Sequence, residues 1–588
     1  MAEAKEPYAS DAKVIDADSE AYVPELAVGP GLQRRMKNRH IAMISIGGVI
    51  GTGLFLGTAT GLSEGGPVGL LLGYMTIGSL CYCTMISLGE MAAFLPVPGG
   101  HITYAERFVD PAWSFALGWL YWYNWTIVLP AEMSAAAVLI GYWNTAVNPA
   151  AWITMCLVIV IFLNMFGAGT SLHSAPPFTF IAPLSTRQHS HRITDRPPPL
   201  TSAPELTYLL SCASVPNPGF YGEAEFIFAS IKVVTITGLI ILGIVLDLGG
   251  GPNHDRIGFR YWKHPGPFNQ YHGIQGAKGR FLAWWAVMTQ AAFSYIGTEV
   301  VAIAGAEAKN PRRNIPKAIR NVYIRILLFY MGGVIVIGLL VPYTDDRLNL
   351  PNTTAAASPF VIAIQTAGIR GLPSLINACL LTSAWSAGNS DLYCSSRALY
   401  SLAINGNAPQ IFSKTNKRGL PWVALTVNAL LGCLAYMDVG SGSAKVFGWL
   451  ANMTAIAGLS SWFAIAVTYL RFRKGLKAQG IDRSTLPYSH WLQPFAAWYA
   501  AILCFIVCLF SGWSVFLKDN WNTATFVTNY LPMMIFPVLY IIKRFWSRHH
   551  FVRPEDMDFK TGMDEVLASS YDEPPPRNWV ERIWSVLM

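Results

Sequence analysis

Apolar residues in this chain gather into long runs, separated by short stretches rich in Lys, Arg, Gly and Pro. A run of about 20 apolar residues is long enough to cross a bilayer as a helix. Twelve such windows can be read, near 41–62, 67–94, 112–142, 150–167, 223–246, 281–304, 321–342, 371–404, 420–438, 445–470, 495–517 and 524–545. The pattern predicts an all-α polytopic membrane protein with twelve transmembrane helices. Basic residues flank alternate ends of the windows. The run Leu32-Gln33-Arg34-Arg35-Met36-Lys37-Asn38-Arg39-His40 precedes the first, and Lys309, Arg312, Arg313, Lys317 and Arg320 follow the sixth. Lys414, Lys417 and Arg418 follow the eighth, Arg471, Arg473, Lys474 and Lys477 the tenth, and Lys543, Arg544 and Arg548 the twelfth. Positive charge of this kind marks the cytoplasmic side, so both termini are expected there. The loop 248–280 is basic on the other side, with Arg256, Arg260, Lys263, Lys278 and Arg280. Its aromatic and Gly/Pro content predicts an ordered external cap.

Two windows are interrupted. The first holds Ile46-Gly47-Gly48-Val49-Ile50-Gly51-Thr52-Gly53-Leu54-Phe55 at its middle. Each of those glycines costs a helix on the order of 1 kcal/mol against alanine. A helix broken here frees N–H and C=O groups at membrane depth, where protein, water or a ligand must satisfy them. A half-helix beginning there turns its N–H donors and positive dipole toward an anion such as a carboxylate. The other reading is a small-residue face for close helix packing. The sixth window carries Phe293-Ser294-Tyr295-Ile296-Gly297-Thr298-Glu299, again Gly/Ser/Thr at mid-span, with a carboxylate. Interrupted helices five apart are the mark of a transporter made of two inverted five-helix repeats, with its substrate site between them.

Composition supports the membrane reading. Of 588 residues 53% are hydrophobic and 13% charged, against about 25% charged in soluble domains. The net charge of +8 follows from the basic loops and does not suggest nucleic acid as a partner; the bilayer is the partner. The nine cysteines are scattered, mostly within windows, and read as small apolar packing residues rather than a disulfide or metal set. Residues 1–38 read as a disordered cytoplasmic tail without a signal peptide, in which Lys5 and Lys13 could accept ubiquitin from a ligase. Helices 1–4 occupy 39–169, helices 5–12 occupy 220–546, and 547–588 form a second cytoplasmic tail. Between the helical halves, 170–219 turns abruptly to Ser, Thr, Pro, His and Arg, including Pro197-Pro198-Pro199. It reads either as a loop or as a translated retained intron, since Ala168-Gly169 joined to Tyr221-Gly222 would make a tight connection.

Ionisable residues inside the windows are candidates for function. Lys232 lies about two turns into the fifth window and is a candidate proton carrier; the alternative is a lysine snorkelling to the surface. Glu132 follows Leu129-Pro130-Ala131 in the third window, as a site residue, an ion-pair partner or a protonated buried acid. Glu299 directly follows the second interruption and either braces the unwound backbone or relays protons. Glu90 is expected to pair with a basic residue of the loop it precedes. Asn389 and Asp391 in the eighth window read as packing and hydrogen-bonding groups, and Trp119-Leu120-Tyr121-Trp122-Tyr123-Asn124-Trp125 as packing or interface anchoring.

Several motifs together resemble one family. They are Arg39-His40-Ile41 through Phe55, Ser87-Leu88-Gly89-Glu90-Met91 with Pro98-Gly99-Gly100, Phe228-Ala229-Ser230-Ile231-Lys232, Gly297-Thr298-Glu299 with Asn310-Pro311-Arg312-Arg313, and Ser386-Ala387-Gly388-Asn389-Ser390-Asp391. Over about 32–550, apart from 170–219, the chain resembles the fungal amino-acid permeases of the amino acid–polyamine–organocation superfamily. The resemblance implies a leucine-transporter-like fold with helices 1 and 6 unwound, and proton-driven uptake of amino acids across the plasma membrane. It places a substrate carboxylate on the N–H groups of Gly51, Thr52 and Gly53, and the ammonium near the carbonyls of Ile50, Phe293 and Ser294, beside Gly297. It implicates Glu132 in selectivity and sets Lys232 facing the first break in place of a sodium ion. The chain departs from the family at Ile583-Trp584-Ser585, where members often carry Phe-Trp-Cys with a palmitoylated cysteine. A carrier of GABA, choline or polyamines shares the fold, and a non-transporting amino-acid sensor is a further class, though such sensors tend to have much longer N-terminal extensions. The chain has no G-x-x-x-x-G-K-[ST] loop, H-E-x-x-H or nucleophile elbow, so no enzyme, cofactor or ATP-driven pump is expected.

Overall fold

A computed structural model describes residues 50–97, 99–143, 146–167, 220–300, 311–348, 358–416, 420–547, 550–563 and 578. The N-terminal tail with Lys5 and Lys13, Gly47 and Gly48, the 170–219 segment, the end of the sixth window and the last residues lie outside these. Among the described residues every regular element is helical.

The first helix, α1, runs Gly53–Phe94, opening with a π turn over Gly53–Gly57. It covers the first two windows as two helical limbs that meet at a kink, where Gly66 is non-helical at φ 71 and ψ 174 and Pro67 follows it. A short amphipathic helix, α2 (His101–Phe108), turns His101, Tyr104, Ala105 and Phe108 inward. α3 (Pro111–Ile140) starts where the Asp110 carboxylate accepts from Trp113 N at 2.6 Å, with Pro111 at the first helical position. α4 (Pro149–Phe162) is capped the same way by Asn148 before Pro149. Then come α5 (Phe220–Asp247) and α6 (Gly276–Tyr295). α7 (Pro311–Arg325) continues through a π turn into Gly332–Leu340. The series ends with α8 (Leu372–Ile404), α9 (Trp422–Gly432), α10 (Ser443–Ala478), α11 (Phe495–Phe510) and α12 (Thr523–Ser547). Among the described residues seven helices are long and apolar enough to cross a membrane, and those of the fourth and eleventh windows are shorter apolar helices.

α1 packs along α6, and α3 packs along α8 and α10. Exposed Ile, Leu, Val and Phe line the outer faces of α5, α11 and α12, as lipid-facing surfaces require.

The basic loops converge on one end of the bundle. There Arg483 Nη2 meets the fully buried Glu90 at 2.5 Å, Tyr469 donates to the same carboxylate at 2.5 Å, and His490 N donates to it at 2.6 Å. Glu90 therefore pairs with a basic residue, but one from the loop after α10 rather than the loop it precedes. Arg544, ending α12, reaches Asp110 at 2.9 Å. The opposite end is covered by the 248–275 segment, which is ordered: Pro267 O accepts from Val68 N at 2.9 Å, Asn269 Nδ2 donates to Ser63 O at 2.8 Å, and Trp262 Nε1 donates to Gly338 O at 3.0 Å.

The aromatic cluster of α3 packs. Trp122 Nε1 donates to Asn428 Oδ1 at 3.1 Å, and Trp119 Nε1 to Asn407 O at 3.0 Å. Asn389 accepts from Asn164 Nδ2 at 2.9 Å, tying α8 to the end of α4. Among the described residues the eight cysteines form no disulfide.

Candidate functional site

Two helix ends face each other inside the bundle. Ile50 is non-helical and fully buried, Gly51 is a bend, and helix starts at Thr52. On the other side α6 stops at Tyr295. Ile296 swings to ψ 148, Gly297 takes φ 88, and Thr298 and Glu299 complete a turn. Among the described residues, regular helix begins just after Gly51 at the first interruption and stops at Tyr295 at the second. The two helix ends also touch: a Cβ on Gly53 would lie 2.8 Å from Ser294 Cα and 3.1 Å from Phe293 Cδ1. Glycine at 53 lets the first turn of one helix lie on the last turn of the other.

The second break is stitched by side chains. Tyr330 on α7 donates to Ser294 O at 2.9 Å, and Thr298 Oγ1 donates to Tyr295 O at 2.5 Å. Those bonds satisfy carbonyls that the end of α6 leaves open. Thr298 in turn accepts from the buried Arg325 at 3.1 Å, and Tyr74 and Ser294 hydroxyls share a bond at 2.8 Å. Glu299 is buried, accepts from Trp462 Nε1 at 3.2 Å and takes the backbone N–H of Gly297 and its own amide. The Ser294 carbonyl, expected to be free for an ammonium, already holds one donor; a carbonyl has a second lone pair.

At the first interruption the described residues begin at Ile50. Thr52 Oγ1 donates to Glu132 Oε1 at 2.7 Å, so its hydroxyl is directed at α3. The other oxygen of Glu132 is buried with no hydrogen-bond partner. Lys232 is 2% exposed, so it does not snorkel, and its ammonium acts electrostatically on the Glu132 carboxylate. Gly53, Phe293 and Ser294 are therefore in one place, with Thr52, Glu132 and Lys232 leading away from it into α3 and α5. Gly297, Thr298 and Glu299 lie on the far side of the second break, where Trp125 Cη2 approaches to 3.6 Å of a Cβ built on Gly297. Tyr74, Tyr330, Thr298, Arg325 and Trp462 were not singled out by sequence. Arg325 carries a legible signal, a charge within the apolar window 321–342.

The arrangement sets a helix N-terminus, with partial positive charge, beside a helix C-terminus, with partial negative charge. A small zwitterion complements that pair of ends.

Comparison with known proteins agrees with this chemistry. The family described as "Amino acid permease" matches residues 40–181 and 202–554. The chain is 38% identical over 561 residues to a proline-specific permease of Emericella nidulans, covering 94% of this chain and 92% of the relative. It is 40% identical over 536 residues to the dicarboxylic amino acid permease of Saccharomyces cerevisiae, covering 90% and 80%. It is 36% identical over 560 residues to the lysine-specific permease of the same yeast, covering 95% and 83%. Since the family match takes in most of the sequence, including both helix ends of the site, the chain belongs to the amino acid permease family.

Proposed function

We propose that this permease is a proton-coupled symporter that imports amino acids across the plasma membrane. Its fold would be twelve spans, with two inverted five-helix repeats of the leucine-transporter kind and both termini in the cytoplasm. The observation that carries the reading is the contact of Gly53 with Ser294, which sets the start of one helix against the end of another. The substrate carboxylate takes the N–H groups at Gly51, Thr52 and Gly53, and the ammonium takes carbonyls near Ile50, Phe293 and Ser294. Lys232 and Glu299, both buried, are the proton-coupling candidates, and Glu132, electrostatically coupled to Lys232, bears on selectivity. Glu299 also holds the turn. The three relatives are named for proline, dicarboxylic amino acids and lysine, so the side-chain preference of this chain is left to measurement.

The test is uptake of a panel of labelled amino acids in permease-deficient yeast at two external pH values. Uptake that rises at acidic pH is the expected result. A protein at the cell surface whose uptake ignores pH is no proton symporter, and one that moves no amino acid is a sensor or a carrier of another substrate. The same assay on chains lacking 170–219, or only the 182–201 stretch that the family does not match, tests the retained-intron reading.

A further inference from the structure

Residues 550–563, beyond the last helix, do not trail away from the bundle. They lie across the end that carries α2, bonded at almost every step. Val552 N donates to Val109 O at 2.9 Å, and the Val552 carbonyl accepts from Arg471. The Gln479 amide, just past α10, reaches Pro554 O, Glu555 O and Met557 O at 3.3, 3.2 and 2.8 Å. Asp558 meets Arg107 at 3.4 Å, and Arg107 also donates to Thr561 O at 2.9 Å. Arg312, at the start of α7, reaches Met563 Sδ at 3.0 Å. Met557 and Phe559 are buried. The Phe559 ring sits among Phe94 of α1, Phe108 of α2 and Phe472 of α10, with centroids 6.1, 5.3 and 5.7 Å away. Gly475 makes the seat: a Cβ there would collide with Met557 Sδ and lie 2.9 Å from Phe559 Cζ. One strap of 14 residues thus ties together the ends of α1, α2, α7 and α10.

Its position is joined to the second helix break by a column of rings. The first turn of α2, on the same inward face as Phe108, presses His101 on Tyr121, with ring centroids 4.9 Å apart. Tyr121 meets Trp125 at 6.0 Å, and Trp125 borders Gly297. Contiguous packing of this kind can carry a displacement between sites, provided an element with two arrangements lies at one end.

We propose that the 550–563 strap is a releasable lock on this end of the permease: seated, it holds α1, α2 and α10 together, and it must shift for a substrate to leave on that side. The inference rests on the transport reading above, whose orientation makes this side cytoplasmic. The strap is held by polar bonds, by the buried Met557 and Phe559 and by the Phe551 ring under Arg471 and Arg544 rather than by a long helix, which suits an element that opens locally.

The experiment is a reversible cross-link in the full chain, G475C/M557C. Removing the Met557 side chain makes room for the added sulfur, and the two single variants serve as controls. Under oxidant, labelled amino-acid uptake falls at least about tenfold, the scale of a modest coupling energy, and reductant restores it. Full cross-linking, followed by mobility of a cleaved sample, with unchanged uptake overturns the lock. Uptake by the reduced double variant is the internal reference: if that and the unmodified chain move no amino acid, the transport reading has failed instead. F559A loosens the strap without adding a sulfur. At equal surface abundance it raises efflux from preloaded cells severalfold; unchanged or lower efflux counts against the lock.

Discussion

The two helix breaks are written in the same letters and obey different demands. At the first, Gly53 has ordinary helical surroundings but no room, because Ser294 backbone fills the place of a side chain. At the second, Gly297 has room but an unusual backbone, with φ 88. One glycine answers to its neighbour and the other to its own dihedral angle. The surroundings differ accordingly. The second break is stitched by Tyr330, Thr298, Arg325 and Trp462, whereas the first is tied to α3 by the single described bond from Thr52 to Glu132 among side chains.

The largest effect that follows is at Gly53. Gly53→Ala pushes against backbone that cannot swing aside, so the two helix ends separate. Displacements near 1 Å in a site cost about 100-fold, and uptake per surface molecule in G53A is expected to fall on that scale. Near-normal uptake in G53A would erase the distinction between the breaks. A smaller loss is expected at Gly297. Gly297→Ala places an L side chain in the left-handed region at about 1–2 kcal/mol, roughly tenfold in uptake, and Gly297→Asn recovers most of it because Asn tolerates that region. If Ala and Asn are equally harmful, space rather than backbone conformation governs the second break too.

The smallest effect concerns the column of rings that supports the second break alone. Burial pushes the His101 imidazole down from its usual 6.5 to about 4, and neither ring nitrogen has a hydrogen-bond partner. The folded protein therefore holds this histidine neutral while the unfolded chain protonates it. Its contribution is intact above pH 6.5, declines as pH falls below that value, and levels off below about 4. At pH 5.5 the loss is about 1 kcal/mol. Thermal unfolding of the detergent-solubilised protein should drop between pH 7 and 5, and His101→Phe should flatten that slope. A slope unchanged in H101F would mean that other groups set the acid response.

Much of the arrangement was legible because apolar runs and their interruptions are long-range signals. The run around Gly51-Thr52-Gly53 and the one around Ser294 and Gly297 needed only counting, and Lys232 and Glu132 stood out as charges in apolar surroundings. What stayed hidden is what depends on partners far away in the chain. Tyr74 and Tyr330 are ordinary aromatic residues of apolar windows until Ser294 meets them. Glu90 announced a basic partner but not that Arg483, 393 positions on, would supply it. Arg325 is a charge within an apolar window, but its partner Thr298 lies 27 positions back. Residues 550–563 read as tail because a lone Phe559 and Met557 make no periodic pattern; their burial comes from a notch at Gly475.

The ordered cover at the opposite end bears on how this protein can be handled in the laboratory. Phe268 and Asn269 sit against the kink at Gly66, where even a methyl group would meet their backbone at under 3 Å. By contrast Gly258 has open space around it, and the nearby Asp255–Arg260 pair stands about half in solvent. An epitope or fluorophore spliced in at Gly258 leaves the kink untouched, while the same insertion ten residues later would pry the two limbs of α1 apart at Gly66.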